Sequence, residues 1–288
     1  MKICLACQQR FESADWDCPV CHWTPQFRHG YPIFAPNLAG NFAGFEAQLF
    51  SILAEIEAGH FWFEARNQLL IWSLQRYFPQ ARNFLEIGCG TGFVLSGLKR
   101  EYSHLVLSGS DIFMEGLAFA QARLPQATLW QMDARSIPFE AEFDVIGAFD
   151  VLEHIVEDET VLRQIFCALK PGGGIMVTVP QHPFLWSYFD DLSHHQRRYI
   201  RSNLLSKMEQ VGFKICKVTS FVTFLLPILL LTRWRQRHLS DNYDVKAEFE
   251  HSWLVNTALK KVMDFERGLI KQGFSFPAGG SLLVVAQR

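Results

Sequence analysis

Two groups of residues stand out for the chemistry their types and spacing allow. The first is the pair Cys4-x-x-Cys7 and Cys18-x-x-Cys21 near the N-terminus. Each pair can present two thiolates to one ion, and two pairs complete a tetrahedral four-sulfur shell, the donor set zinc prefers. The alternatives are two disulfides, or a redox-active C-x-x-C, which expects a single motif beside a βαβ unit. The spacing therefore predicts a structural zinc on Cys4, Cys7, Cys18 and Cys21, with His22 as a substitute ligand. A segment this short does not fold without its metal, and a closed shell gives it no catalytic role. The remaining cysteines, Cys89, Cys167 and Cys216, read as small hydrophobes in core elements.

The second group is strung through the middle of the chain. It comprises Leu85-Glu86-Ile87-Gly88-Cys89-Gly90-Thr91-Gly92, Ser110-Asp111, Met132-Asp133-Ala134, and Asp150-Val151-Leu152-Glu153-His154. Each follows an apolar run. A glycine-rich turn lets a ligand approach the backbone closely. An acid closing the next strand can accept both hydroxyls of a ribose. A carboxylate at the third strand end can take an exocyclic amine. The dinucleotide fingerprint G-x-G-x-x-G is not met, because Phe93 follows Gly92. Any one of these acids alone could be a turn residue or helix cap. Four consecutive strands ending this way point to a nucleotide-like ligand.

These residues need a scaffold. Helical periodicity runs over 45–57 and 61–78. Strands are then predicted at 83–87, 105–110, 127–131, 143–149 and 174–179, alternating with helices at 92–101, 114–124 and 155–169. Such alternation gives an α/β fold with a parallel sheet, helices on both faces, and ligands at the carboxyl ends of the strands. Residues 31–44, rich in Pro, Gly, Ala and Asn, read as a linker. The expected organisation is a zinc ribbon over 1–30, the linker, and one α/β domain over 45–288.

Taken together, residues 85–92, Asp111, Asp133 and Asp150 to His154 resemble the successive motifs of class I S-adenosylmethionine-dependent methyltransferases. Lys170-Pro171-Gly172-Gly173-Gly174 is similar to that family's turn before the fifth strand. The resemblance covers residues 60–220 and a last strand near 281–286. It implies a Rossmann-like seven-stranded sheet whose final two strands form an antiparallel pair, and S-adenosylmethionine as cofactor. By similarity, Gly88, Gly90 and Gly92 would lie under the methionine and ribose portions. Asp111 would hold the ribose, and Asp133 with the Ala134 amide would meet the adenine. Asp150 and Val151 would sit near the methyl-bearing end. Glu86, Cys89 and Ile112 complete the expected cofactor set. His60-Phe61-Trp62-Phe63-Glu64-Ala65-Arg66 resembles a helix that covers the cofactor in this class. Trp62 offers an aromatic face to a sulfonium and Arg66 a partner to a carboxylate. The plainer alternative is an amphipathic helix with a solvated arginine.

Residues 179–199 fall where such enzymes build the acceptor site. They include Trp186, Asp190-Asp191 and His194-His195-Gln196-Arg197-Arg198-Tyr199. His154 and His195 are the candidate general bases, and Trp186, Arg198 and Tyr199 the candidate acceptor contacts. Their alternative role is loop hydrogen bonding. Between a sixth strand at 213–220 and the last strand lies an insertion, about 221–280. It opens with a Leu-rich run containing Pro227, continues with Arg233, Arg235 and Arg237, and closes with a helix over 244–272. It reads as a lid over the acceptor pocket, or as an element dipping into a membrane with its arginines toward phosphates. The uncharged stretch 218–232 is too short to span a bilayer. Either reading suggests an acceptor with an apolar part.

Composition narrows the class further. The chain has 288 residues, 49% hydrophobic and 19% charged, which excludes general disorder. A formal charge of −2 argues against a basic nucleic-acid binder. Met1-Lys2-Ile3-Cys4 does not begin a signal peptide, so a reducing cytoplasm is expected, with peripheral membrane contact as an addition. The expected function is methyl transfer to an oxygen of a small amphipathic or lipid-linked acceptor, with the ribbon open to a protein partner. A zinc-ribbon RNA methyltransferase and a methyltransferase-fold binding protein are the alternatives. A nicotinamide oxidoreductase fits the loop spacing poorly. No Asn-Pro-Pro-Tyr-like segment follows the fourth strand, which disfavours amino-group methylation of nucleic acid or glutamine.

Overall fold

The computed structural model describes all residues except 39–46, 237–248 and 250, and only the backbone at 47, 48 and 234–236. Its centre is a parallel run of strands: β5 (Asn83–Ile87), β6 (Val106–Asp111), β7 (Thr128–Gln131), β8 (Phe143–Phe149) and β9 (Leu169–Pro180). They form because their apolar side chains are buried on both faces. In β5, Phe84 joins one hydrophobic cluster and Leu85 and Ile87 the opposite one, as the two-residue period of a strand requires. Truncating such a residue, Leu85 for example, removes roughly 2–5 kcal/mol.

On one face lie α2 (Phe61–Tyr77), α3 (Phe93–Glu101), α4 (Met114–Arg123) and α9 (Trp253–Lys271). Leu70, Leu95, Leu117 and Met263 from these helices share one core. On the other lie α5 (Asp158–Ala168) and α7 (Arg201–Val211), packing Val161, Ile165, Leu204 and Met208. The last two strands, β10 (Lys214–Phe221) and β11 (Ser281–Gln287), pair antiparallel, and β11 also runs antiparallel to β9. This is the terminal arrangement implied by the family resemblance.

The sheet has nine strands rather than seven. Its order is β10-β11-β9-β8-β5-β6-β7-β4-β3, where β3 (Gln26–Arg28) and β4 (Tyr31–Ile33) form a hairpin added to the β7 edge. Residues 31–33 are therefore sheet, not linker. The Tyr-Pro-Ile run lies next to the edge strand β3 and pairs with β7 only at Ile33↔Gln131, so few ladder bonds depend on the Pro32 nitrogen. A small separate hairpin, β1 (Lys2–Ile3) with β2 (Arg10–Phe11), carries Cys4 and Cys7 between its strands, and Cys18 and Cys21 follow it. The expected turn at Lys170 to Gly174 lies inside β9. There the pairing to β8 shifts from Phe143↔Leu169 to Val145↔Gly174, and the intervening residues bulge out.

The remaining helices are α1 (Ala47–Ile56), α6 (Tyr188–Leu192) and α8 (Leu226–Gln236). The expected helix at 244–272 is observed as α9 from Trp253. Its first residues, with Phe45, Arg237 and positions 39–44 of the linker, lie outside the described residues, as does the Arg235 side chain. No helix among the described residues is long and apolar enough to cross a membrane.

Candidate active site

The carboxyl ends of β5, β6, β7 and β8 open into one cavity of about 960 Å³. Its floor is the turn after β5. Gly88 and Gly92 have φ of +67° and +73°. A Cβ on Gly88 would stand 2.4 Å from Val151 Cγ2, so the β5 and β8 loops touch only because this residue is glycine. The Cys89 backbone lines the cavity, but its thiol is fully buried and pushed well up by burial. It is a packing residue. Thr91, in the same turn, donates to Glu57 at 2.8 and 2.6 Å, and Arg123 reaches both at 2.9 Å. Glu57 and Thr91 are buried and Arg123 half-buried, and the trio fastens the residue following α1 to the glycine turn.

Asp111 ends β6. It accepts from the Gly90 amide at 2.8 Å and the Phe113 amide at 2.9 Å. Burial pushes its carboxyl up to about 6, outweighing those two hydrogen bonds. Ile112 and Ala134 line the same end of the cavity. Asp133 lines it too, but its carboxylate is held by Arg135 in a fork of 2.9–3.1 Å bonds. Asp133 is thus already partnered, with acceptor capacity left for one further donor.

Arg66 and Asp150 form an ion pair at the middle of the cavity, and the guanidinium lies 4.5 Å from the Trp62 ring centroid. Asp150 adopts a left-handed φ of +58°, a conformation tolerated by Asp and concentrated at functional sites. Beside the pair, Arg66 Nε and Glu86 Oε2 are buried without a hydrogen-bond partner. Burial raises the Glu86 carboxyl well above its ordinary value.

Beyond Asp150 the cavity continues to a second cluster. The His154 and His195 rings meet edge to face, 4.6 Å apart. His195 Nδ1 lies 2.8 Å from Asp190 Oδ1, and Arg198 donates to the same carboxylate at 2.8 and 2.9 Å. Asp190 is fully buried. Burial alone would raise its carboxyl, but the hydrogen bonds from His195 and Arg198 hold it below the usual range. His154 is lowered to about 3, by burial first and by His195 second, so its ring is neutral near pH 7. Glu153 is fully buried, and neither of its carboxyl oxygens has a partner. Its oxygens and the two imidazoles present one ligand atom each within 4.8 Å of one another. The wall opposite is apolar and includes Leu225, Ile228 and Leu229 around α8.

The structure thus brings His154, His195 and Arg198 to one place, and it does not bring Tyr199 or Trp186 there. Tyr199 is 2% exposed and donates to Asp158 Oδ2 at 2.7 Å, beneath the sheet end. Trp186 lies outside the cavity lining, and its Nε1 donates to Asp191 at 2.9 Å. Sequence reasoning places Asp190 in the acceptor segment and Glu153 in the fourth-strand motif without giving either a role, and it misses Glu57. An acid with two neighbouring cations in one loop was the available signal for Asp190.

At the N-terminus, the four sulfurs of Cys4, Cys7, Cys18 and Cys21 also lie within 4.8 Å of one another. The Cys4–Cys21 and Cys7–Cys18 separations are both 3.6 Å. A tetrahedron with zinc–sulfur bonds of about 2.3 Å has edges of about 3.8 Å. His22 is not in this cluster. Its ring is 78% exposed and points toward Asp17.

A family model described as a methyltransferase domain matches residues 57–218. The chain belongs to this methyltransferase family. The matched span runs from Glu57, bonded to the glycine turn, into β10, and includes the loops after β5, β6, β7 and β8. Trans-aconitate 2-methyltransferase of Delftia acidovorans is 32% identical over 106 residues, 36% of this chain and 40% of that protein. A ubiquinone biosynthesis O-methyltransferase of Pseudomonas putida is 25% identical over 150 residues, 46% of this chain and 63% of that protein. The chain spans 40–65% of the length of the curated relatives it matches. Among solved structures, phosphoethanolamine N-methyltransferase 2 of Haemonchus contortus, in complex with S-adenosyl-L-methionine, superposes with a TM-score of 0.52. It is 22% identical and covers 77% of this chain and 52% of that one, a likeness of fold.

Proposed function

We propose that this methyltransferase-family protein transfers the methyl group of S-adenosylmethionine to an oxygen of a small acceptor with an apolar part. The observation that carries the reading is the continuity of the cavity. One continuous lining takes in the glycine turn, Asp111, Glu86 and Arg66 together with His154, His195 and the apolar residues Leu225, Ile228 and Leu229. The donor set fits the cofactor. The unpartnered Glu86 Oε2 suits an ammonium, the unpartnered Arg66 Nε suits a carboxylate, and Asp111 suits a ribose diol. When bound, S-adenosylmethionine supplies an electrophilic methyl group.

The chain's own residues would then do three things. Trp62 and Phe63 close the middle of the cavity against water. Arg198 and Ser187 fix the Asp190 carboxylate, and Asp190 fixes the His195 ring through Nδ1. Nε2 of His195 is thereby left to take a proton from an acceptor hydroxyl, while neutral His154 packs against it. The α8 wall favours an acceptor carrying an aliphatic or isoprenoid portion. Four structural thiolates hold a zinc at the N-terminus, whose exposed face is available to a partner.

A second reading of the same cluster rests on the orphaned Glu153. Glu153, His154 and His195 can hold one divalent cation, with Asp190 orienting His195 from behind, and the cation would bind the acceptor oxygen as an anion. Chelation at saturating cofactor separates the two: turnover that relies on a general base persists, and turnover that relies on a cation is lost.

Calorimetry with S-adenosylhomocysteine and with NAD tests the cofactor assignment. Micromolar binding of the adenosyl ligand alone is expected, followed by label transfer to amphipathic phenols or lipid-linked hydroxyls. No binding by folded protein sinks the proposal. A finer expectation concerns Asp111. Its raised carboxyl ionises in the folded chain only above about pH 6, and a ribose donates best to the ionised form. Affinity should therefore be flat above about pH 7 and fall roughly tenfold per unit below 6. Asp111→Asn should flatten that profile and weaken binding by about 1.5–3 kcal/mol. A profile unchanged by the substitution would remove Asp111 from the role.

A further inference from the structure

One buried side chain bonds both the N-terminal segment and a loop that lines the cavity. Gln131, the last residue of β7, is fully buried. Its backbone oxygen accepts from the Phe34 amide at 2.9 Å, just beyond the β4 pairing of Ile33 with Gln131. Its side chain closes a two-point bond on Ala35: Oε1 accepts from the Ala35 amide and Nε2 donates to the Ala35 oxygen, both at 3.0 Å. The same Nε2 donates to the Ile112 oxygen at 3.1 Å. Ile112 follows Asp111, and Met132, Asp133 and Ala134 follow Gln131; all line the cavity. One amide group thus ties the segment after β4 to the loop after β6, and it sits on the residue from which the loop after β7 starts.

The rest of the module bears on the same loops. The Ile3 amide donates to Pro138 at 3.0 Å, and the Glu140 amide to Met1 at 2.9 Å. Trp16 packs edge-on against Phe34 and Phe139, with centroids at 4.5 and 5.4 Å, and Phe139 packs on Trp130 of β7. Trp16 and Trp23 also pack on the small core formed by Cys4, Phe11 and Cys18. The cysteine cluster, the Trp16–Phe34 contact and Gln131 are therefore consecutive parts of one packed path to residues 111–113 and 131–135.

We propose that the four-cysteine module is an internal clamp on the adenosyl side of the cavity and that Gln131 is the positioning residue that transmits it. This rests on the cofactor assignment above. Gln131 touches no reacting atom. It sets where the Asp111–Ile112 and Asp133–Ala134 backbones stand, so its loss lowers cofactor affinity and leaves transfer from saturated enzyme unchanged. A strand end that merely stabilised the fold would lower the melting temperature without that split.

The test uses the full chain, as purified with its metal. Gln131→Met keeps the volume and removes the side-chain hydrogen bonds. S-adenosylhomocysteine binding should weaken by about tenfold or more, for two or three lost buried bonds, with kcat at saturating cofactor within about twofold. Removing the metal with a chelator, followed by far-ultraviolet circular dichroism to show the main sheet intact, should weaken binding to a similar extent. It should add little to Gln131→Met, because both break the same path. Hydrogen exchange of amides 111–113 and 131–135 should rise in both cases. Unchanged affinity and exchange in Gln131→Met overturns the proposal. So does full additivity of the two perturbations. Failure of the unaltered, metal-loaded chain to bind S-adenosylhomocysteine overturns the cofactor assignment instead, and is distinguishable because exchange at 131–135 would still respond.

Discussion

His195→Ala is expected to lower turnover by roughly 10²–10⁴ and leave S-adenosylhomocysteine binding unchanged. The size follows from the role. A positioned base is worth about that much when the nucleophile is a hydroxyl whose proton must leave. The selectivity follows from the geometry. His195 lies in the cavity beyond Asp150, away from Asp111 and the glycine turn, and its removal leaves Asp190 paired to Arg198 at 2.8 and 2.9 Å. The fold should therefore survive. Asp190→Asn would not test the same thing, since it also frees a buried guanidinium. His154→Ala should cost less, because a ring lowered to about 3 is a weak base for a hydroxyl proton. Turnover measured at saturating acceptor decides the matter. Undiminished turnover in His195→Ala excludes the base, and a loss restored by added imidazole strengthens it. If turnover at saturating cofactor and acceptor falls with chelator in the unaltered protein, the loss belongs to the cation reading.

Asp158→Ala is expected to destabilise the protein by about 3–5 kcal/mol, because it strands two cations in a buried site. Asp158 accepts from Tyr199 at 2.7 Å and Lys207 at 2.7 and 2.8 Å, and pairs with Arg197 at 2.7 Å. It fastens α5 to α7 and to the loop that carries His195. Burial alone would raise its carboxyl; the hydrogen bonds from Lys207 and Tyr199 and the charge of Arg197 overcome that and hold it lower. A depressed carboxyl stabilises the fold above the unfolded value, about 3.9, and the gain disappears as pH falls through the folded value. The gap between native and variant should be constant from about pH 5 to 8 and shrink below 4. Thermal unfolding across that range checks it, with a drop of roughly 10 °C at neutral pH. Tyr199→Phe should cost only about 1 kcal/mol and leave the acceptor KM alone. A raised KM would restore Tyr199 to the acceptor site.

These two cases show where the sequence was legible. Strands β5 to β8 could be read because each is an apolar run closed by a glycine or an acid, and that punctuation is local. The cofactor end of the cavity was legible for the same reason. Tyr199 was misread because an aromatic in a His-rich loop looks like a ligand contact until its partner, forty residues earlier in the chain, is seen beside it. Asp190 and Gln131 carry no local signal of burial. A polar residue at the end of a strand or in a loop reads as solvated, and only the fold shows what it holds together. The Tyr31–Ile33 strand was hidden by its proline, which is tolerated because the strand lies near the sheet edge.

The packing of α9 against α2 bears on the order of events in a catalytic cycle. Asn256 bonds both Gly59 and the Phe61 amide, and Lys260 pairs with Glu64. Helix α9 is thus riveted to the helix that carries Trp62 and Arg66, and its other end holds the segment leading into α8 through Glu266, which accepts from the amides of Val222, Thr223 and Phe224. A movement that admits an acceptor beneath α8 would be felt by the residues that enclose the sulfonium end. Such a coupling favours a compulsory sequence in which the methyl donor enters first and its demethylated product leaves last, visible as product inhibition competitive with the donor alone.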